Sequence, residues 1–144
     1  MARLNSFRVD SRLIEQGEWV SPGEEYDDLE ILTRGLTDQY SDARAAKLRR
    51  AALRYGGDVN KLPGSITRDI TVECMIDHVL LDVRHLSDED GNPIDFAGFK
   101  ELLRNPDYSD LVIAALKAAA IVGTQRIRNA EDAEKNSPKH SKRN

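Results

Sequence analysis

The sequence predicts a mainly α-helical, α+β domain. A small N-terminal β-hairpin or strand element spans about 11–34, a bundle of about four helices spans about 38–129, and a disordered basic tail spans 130–144. Three observations lead there. Apolar residues from Asp38 onward recur at helical spacing. Tyr26 to Arg34 instead alternates with period two and carries β-branched residues. Beyond Ala130 the apolar periodicity stops, Ser137-Pro138 breaks any helix, and Lys139, Lys142 and Arg143 leave the end basic.

The chain has 144 residues, enough for one domain at 1–129 and a tail. Hydrophobic residues make up 40% and aromatics only 6%, so the core has to be built mostly from Leu, Ile, Val and Ala. A net charge of −4 argues against a dedicated nucleic-acid binder. The single cysteine, Cys74, cannot form an internal disulfide, which suits a cytoplasmic protein. No signal peptide is expected. The most apolar run, Leu111 to Val122, is too short to span a bilayer and is interrupted by Lys117.

Taken in order, Ser11 to Val20 holds the only tryptophan, Trp19, with Gly17 as a breaker. Ser21-Pro22-Gly23 reads as a turn into the strand at Tyr26 to Arg34. A hairpin of this size is marginal by itself, so it has to pack on helices or on another chain. Between Glu15 and Glu30 there are seven acids and no base. The next helix, Asp38 to Tyr55, reverses the sign with Arg44, Lys47, Arg49, Arg50 and Arg54, and Gly56-Gly57 stops it. Its basic face reads as a solvated surface meeting the acidic segment, or alternatively as a docking or nucleic-acid face.

Pro63-Gly64-Ser65 opens a central helix expected over Ile66 to Leu86, with Val72, Met75, Ile76, Val79, Val83 and Leu86 on one stripe. A solvated loop, Ser87 to Asn92, follows. Asp95 is placed to cap a short helix ending near Arg104. Asn105-Pro106-Asp107 restarts a helix expected to run to about Asn129. Its Ala-rich middle suits close approach of another helix, from this chain or from a second subunit.

Sites for chemistry are few. His78, Asp82 and His85 would share a face if the central helix runs through them, but a zinc site needs a further ligand and no HExxH accompanies them. The favoured reading is a polar flank with His78 bonded to Asp82. The loop Asp88 to Asn92 fails as an EF-hand, because Leu86 and Ala97 stand where carboxylates are required. Cys74, among Val72, Met75 and Ile76, reads as a buried, inert thiol. No catalytic motif is present. No catalytic residue, cofactor or metal is implied, so an interaction protein is favoured over an enzyme.

Two segments carry a family resemblance. One is Ser11-Arg12 with Glu15-Gln16-Gly17-Glu18-Trp19-Val20, followed by the charged strand Asp28 to Arg34. The other is Val79-Leu80-Leu81-Asp82, leading through Leu86-Ser87-Asp88-Glu89-Asp90-Gly91-Asn92-Pro93 to Phe96 and Glu101-Leu102-Leu103. Together they resemble the tail assembly chaperones of long-tailed (siphovirus-type) bacteriophages and prophages, over roughly residues 11–125. Val83 stands where many such proteins have Trp. The resemblance implies a non-enzymatic protein of the host cytoplasm. It would bind and solubilise the tape measure protein, help recruit tail tube subunits, and be absent from the finished virion. It also implies a second, frameshifted product, and Glu134-Lys135-Asn136 is compatible with a slip sequence. The expected partner groove lies between the central and last helices, near Val79, Val83, Leu111, Ala115 and Ala118, although most of these residues equally suit the domain's own core. Membrane and nucleic acid are not expected partners. The alternatives are a helical adaptor or nucleic-acid-binding regulator using residues 42–54, and a small metal-dependent enzyme using His78, Asp82 and His85.

Overall fold

A computed structural model describes residues 1–4 and 11–135. Its elements are α1 (Ser11–Gln16), β1 (Glu18–Val20), β2 (Glu30–Thr33), α2 (Asp38–Ala52), α3 (Gly64–His78), β3 (Leu80–Arg84), α4 (Phe96–Arg104) and α5 (Ser109–Lys135). The fold is mainly α with a small antiparallel sheet, an α+β arrangement. The strand order is β1-β2-β3, with both pairings antiparallel. Helices α3, α4 and α5 pack on this sheet, and α2 packs on α3. α5 packs on β1, β2 and α4, while α3 packs on α2, α4 and β3.

The hairpin follows from its local sequence. Gly17 sits at φ 72, and a Cβ there would lie 2.6 Å from Leu81 Cδ1 and 3.0 Å from the Thr33 carbonyl oxygen. Glycine is therefore required both for the turn and for the close approach. Ile31 faces Val20 on one side and Val83 on the other, and all three are buried. On the opposite face Trp19 pairs with Leu32 across β1–β2, and the Arg84 guanidinium lies 4.1 Å from the Trp19 ring centroid. Arg84 Nε also donates to Glu30 Oε1 at 2.9 Å, which fixes the cation over the ring.

Two elements differ from expectation. Ser11–Gln16, expected within the N-terminal β element, forms the short helix α1. The central helix stops at His78, and the segment expected to finish it becomes β3. The cause is visible in the register. Leu32 faces Asp82 whereas Thr33 faces Leu80, so Leu81 is an extra residue in a bulge. The bulge breaks strict alternation, and Leu80 and Val83 both turn into the core. A spacing of three in a bulged strand imitates one turn of helix. β3 supplies the third strand that the marginal hairpin needed.

The caps match the sequence. Thr37 Oγ1 accepts from the Tyr40 amide, and Asp95 Oδ1 accepts from the Gly98 amide at 2.8 Å. At the end of α2, Gly56 is left-handed at φ 74 and the Gly57 amide donates to the Ala52 carbonyl at 2.8 Å. Asn105 Oδ1 accepts from the Asp107 amide at 3.0 Å, opening a short 3-10 turn, Pro106–Tyr108, that leads into α5. α5 runs to Lys135, beyond the end expected near Asn129. Residues 136–144, the rest of the expected disordered tail, lie outside the described residues. No helix among the described residues is long and apolar enough to cross a membrane.

The main core joins Val20 and Ile31 of the sheet to Val72 and Met75 of α3, Phe99 and Leu103 of α4, and Ala114, Ala115, Ala118 and Ala119 of α5. A smaller cluster adjoins it: Leu48 and Ala52 of α2 with Leu62, and Ala51, Tyr55, Ile66 and Ile70 half-buried over it, Ile70 also packing against the main core.

Candidate partner-binding groove

The groove expected between the central and last helices is not an open surface. Val79, Ala115 and Ala118 are fully buried and Val83 is 7% exposed, all within the main core. Leu111 is half-buried against the same core. The reason is topological. α5 lies on the sheet, with Ala114, Ala115, Ala118 and Ala119 as the small residues that let a helix approach closely. Val79, Val83, Ala115 and Ala118 thus lie within the main core, with Leu111 packed against it.

The structure does contain a groove, between α2 and α3. It has a volume of about 440 Å³ and lies over the smaller cluster. Ala51, Tyr55, Ile66 and Ile70 line its floor, and Lys47, Arg50 and Arg54 stand along the α2 side. Local sequence explains the placement. Lys47 and Arg50 of α2 are spaced i, i+3 and share a face, and Arg54 lies in the 3-10 turn Leu53–Tyr55 that follows the helix. Ile66 and Ile70 lie one turn apart on α3, roughly half a turn around from the Val72–Met75 stripe that faces the main core. α3 thus has two apolar faces, one completing the core and one left at the groove.

The electrostatics of this face are lopsided. Arg44 Nε donates to Thr71 Oγ1 at 2.9 Å, and Lys47 Nζ lies 3.9 Å from Asp77 Oδ2, tying α2 to α3. Among the described residues, Arg49, Arg50 and Arg54 have no acidic partner within 4.0 Å. Among the described residues no ion pair joins the acidic segment to this helix, contrary to one expectation. Glu25 Oε1 instead accepts from Lys117 Nζ of α5 at 2.9 Å, and Glu30 pairs with Arg84 of β3. Both carboxyls are held below the ordinary glutamate range, chiefly by the hydrogen bond from their basic partner.

The remaining candidates resolve geometrically. His78 ends α3, Asp82 lies in β3 and His85 follows it at φ 61, so the shared helical face does not exist. Asp82 Oδ1 accepts from the Val83 amide rather than from His78, and His85 Nδ1 lies 3.1 Å from the Asp28 carbonyl oxygen. No group of three or more His, Cys, Asp or Glu among the described residues is placed to share a metal. In the acidic loop, Asp88 Oδ1 accepts from the amides of Asp90 and Asn92, both at 2.9 Å. These bonds, led by that from Asn92, hold the Asp88 carboxyl below its ordinary range. The carboxylate is occupied in closing its own turn. Cys74 is fully buried on α3, and burial pushes its thiol up.

A scan against family models finds no match to this chain, and searches of curated proteins and of solved structures likewise find none. The α2–α3 groove stands on its own geometry. Sequence reading singled out the basic half of it, Arg44 to Arg54, but missed the apolar half. The available signal was the pair Ile66 and Ile70, off the main stripe of their helix.

Proposed function

We propose that this chain is a non-enzymatic tail assembly chaperone of a long-tailed phage or prophage. It holds a tape measure protein soluble in the host cytoplasm and helps bring tail tube subunits to it. The observation that carries this reading is the apolar-floored, basic-sided groove between α2 and α3, over the smaller apolar cluster beside the main core. A long helical client exposes apolar stripes that aggregate, and a small domain can cover part of such a stripe while keeping charge toward water. The resemblance of residues 11–125 to such chaperones names the client class. Co-expression with the tape measure protein from the same gene cluster tests it: soluble client that co-purifies supports the chaperone. An insoluble client, with the longer frameshifted product also supplied, rejects it. Whether Glu134-Lys135-Asn136 is encoded by a slip sequence is read directly from the gene.

A second reading has one observation in its favour. Arg49, Arg50 and Arg54 lack acidic partners among the described residues, as a nucleic-acid-binding helix would require. Steeply salt-dependent binding to an oligonucleotide would favour it. The apolar floor beside these arginines favours a protein client.

A further inference from the structure

We infer that the α2–α3 groove takes one particular kind of segment: an amphipathic helix with an apolar stripe flanked along one side by carboxylates. This deepens the chaperone reading and rests on it for the identity of the client, but the chemistry comes from the groove. Its walls are two helices whose backbone groups are bonded internally, so no sheet edge is offered and an extended peptide would gain no ladder bonds. Recognition has to run through side chains. The floor, Ala51, Ile66 and Ile70 with the Tyr55 ring, is apolar and half-buried, and it seats apolar side chains. A volume of about 440 Å³ accommodates a few such side chains and not a whole domain face.

The charges select the flank. Lys47 and Arg50 lie on α2, about 4.5 Å apart along the axis, and Arg54 follows in the 3-10 turn Leu53–Tyr55. A second helix laid alongside α2 and this turn presents positions i, i+3 or i+4, and i+7 with a similar rise. Three carboxylates at that spacing would each meet one of these cations. The α3 wall contributes only Ile66 and Ile70, so the selectivity is one-sided. Lys47 already shares Asp77 at 3.9 Å, which leaves Arg50 and Arg54 as the main selectors.

The probe is a synthetic, fluorescently labelled helix of about 16 residues, long enough for a stable helical turn register. It carries Leu at i, i+4, i+7 and i+11 and Glu along one flank. A twin carries Lys in place of each Glu. Both are titrated into the full chain and followed by anisotropy. The Glu helix is expected to bind about tenfold or more tightly than the Lys helix, with the difference shrinking as salt rises. The double variant Arg50→Glu/Arg54→Glu, whose positions are exposed and whose fold is checked by circular dichroism, is expected to reverse the preference. Ile66→Ala is expected to weaken both probes.

Equal binding of both helices, no binding of either, or a preference unmoved by the double variant overturns the inference. So does a DNA or RNA oligonucleotide that outcompetes the Glu helix, since that would make the face a phosphate binder. The chaperone reading fails separately. A Glu helix that binds while the tape measure protein stays insoluble rejects the client and keeps the groove. Client solubilised without Glu-helix binding rejects the groove and keeps the client.

Discussion

Ala115 gives the sharpest test of how this domain is assembled. It lies in the first half of α5, fully buried in the core that α5 forms with the sheet, as is Ala118 one turn on. Ala115→Leu would push three carbons into a site with no room for them, and overpacking of this kind costs about 1–3 kcal/mol. Ala115→Asp would place a carboxylate there with no cation to meet it, an uncompensated buried charge worth about 3–5 kcal/mol. A chain of 144 residues has a total stability of about 7–20 kcal/mol. The leucine is therefore tolerated, and the aspartate removes a large fraction of the fold. At about 3–4 °C per kcal/mol for this size, Ala115→Leu should lower Tm by about 3–12 °C and Ala115→Asp by about 10 °C or more. Thermal melts followed by circular dichroism measure the Tm shifts and urea melts followed by Trp19 fluorescence the free energies, with the exposed Ala46→Asp as a control within about 0.5 kcal/mol of the parent. An Ala115→Asp protein as stable as the parent would refute the packing of α5 on the sheet. It would also reopen the small-residue face as a partner surface.

Three further outcomes follow from the same structure. Cys74 should react with a thiol reagent at pH 8 far more slowly in the folded protein than in urea, because burial raises its thiol above the ordinary range; equal rates would place it at the surface. Asp95→Ala removes the side-chain acceptor for the Gly98 amide and should cost about 1 kcal/mol, read as a lower urea midpoint with unchanged slope. The Glu30 carboxyl is lowered in the folded state, chiefly by its hydrogen bond to Arg84, so its contribution is fully present above the unfolded value of 4.5. That contribution is lost as pH falls through the lower folded value. Glu30→Gln should accordingly bring the melting temperatures of variant and parent closer together as pH drops below 4.5, and a constant gap would contradict the pairing.

Much of the fold is legible in the sequence where local chemistry decides it. The caps at Thr37, Asp95 and Asn105 and the Gly56 stop set helix ends through bonds within a few residues, and they can be read from residue type and spacing. The hairpin is legible for the same reason: period two at Tyr26–Arg34, and a glycine where the chain must turn. β3 is not, because its assignment depends on pairing with β2 about fifty residues earlier. Val79, Leu80 and Val83 carry a three-to-four spacing that a helix and a bulged strand produce alike. That error propagated. A helix through Leu86 brings His78, Asp82 and His85 together and makes Val79 and Val83 face a neighbouring helix. A strand separates the first set and buries the second. The α2–α3 groove was half legible, since the basic face of α2 is visible in sequence. Its apolar floor depends on which face of α3 meets α2, and that is a tertiary fact.

The central claim is that a client helix is held at the α2–α3 groove and not along α5. Co-expression of the tape measure protein with the parent chain and with the Arg50→Glu/Arg54→Glu variant, scored as the fraction of client left soluble, tests it most directly. The account predicts a largely soluble client with the parent and a largely insoluble one with the equally folded variant. A client equally soluble with both would contradict the groove, and a client insoluble with both, the longer frameshifted product also supplied, would contradict the chaperone.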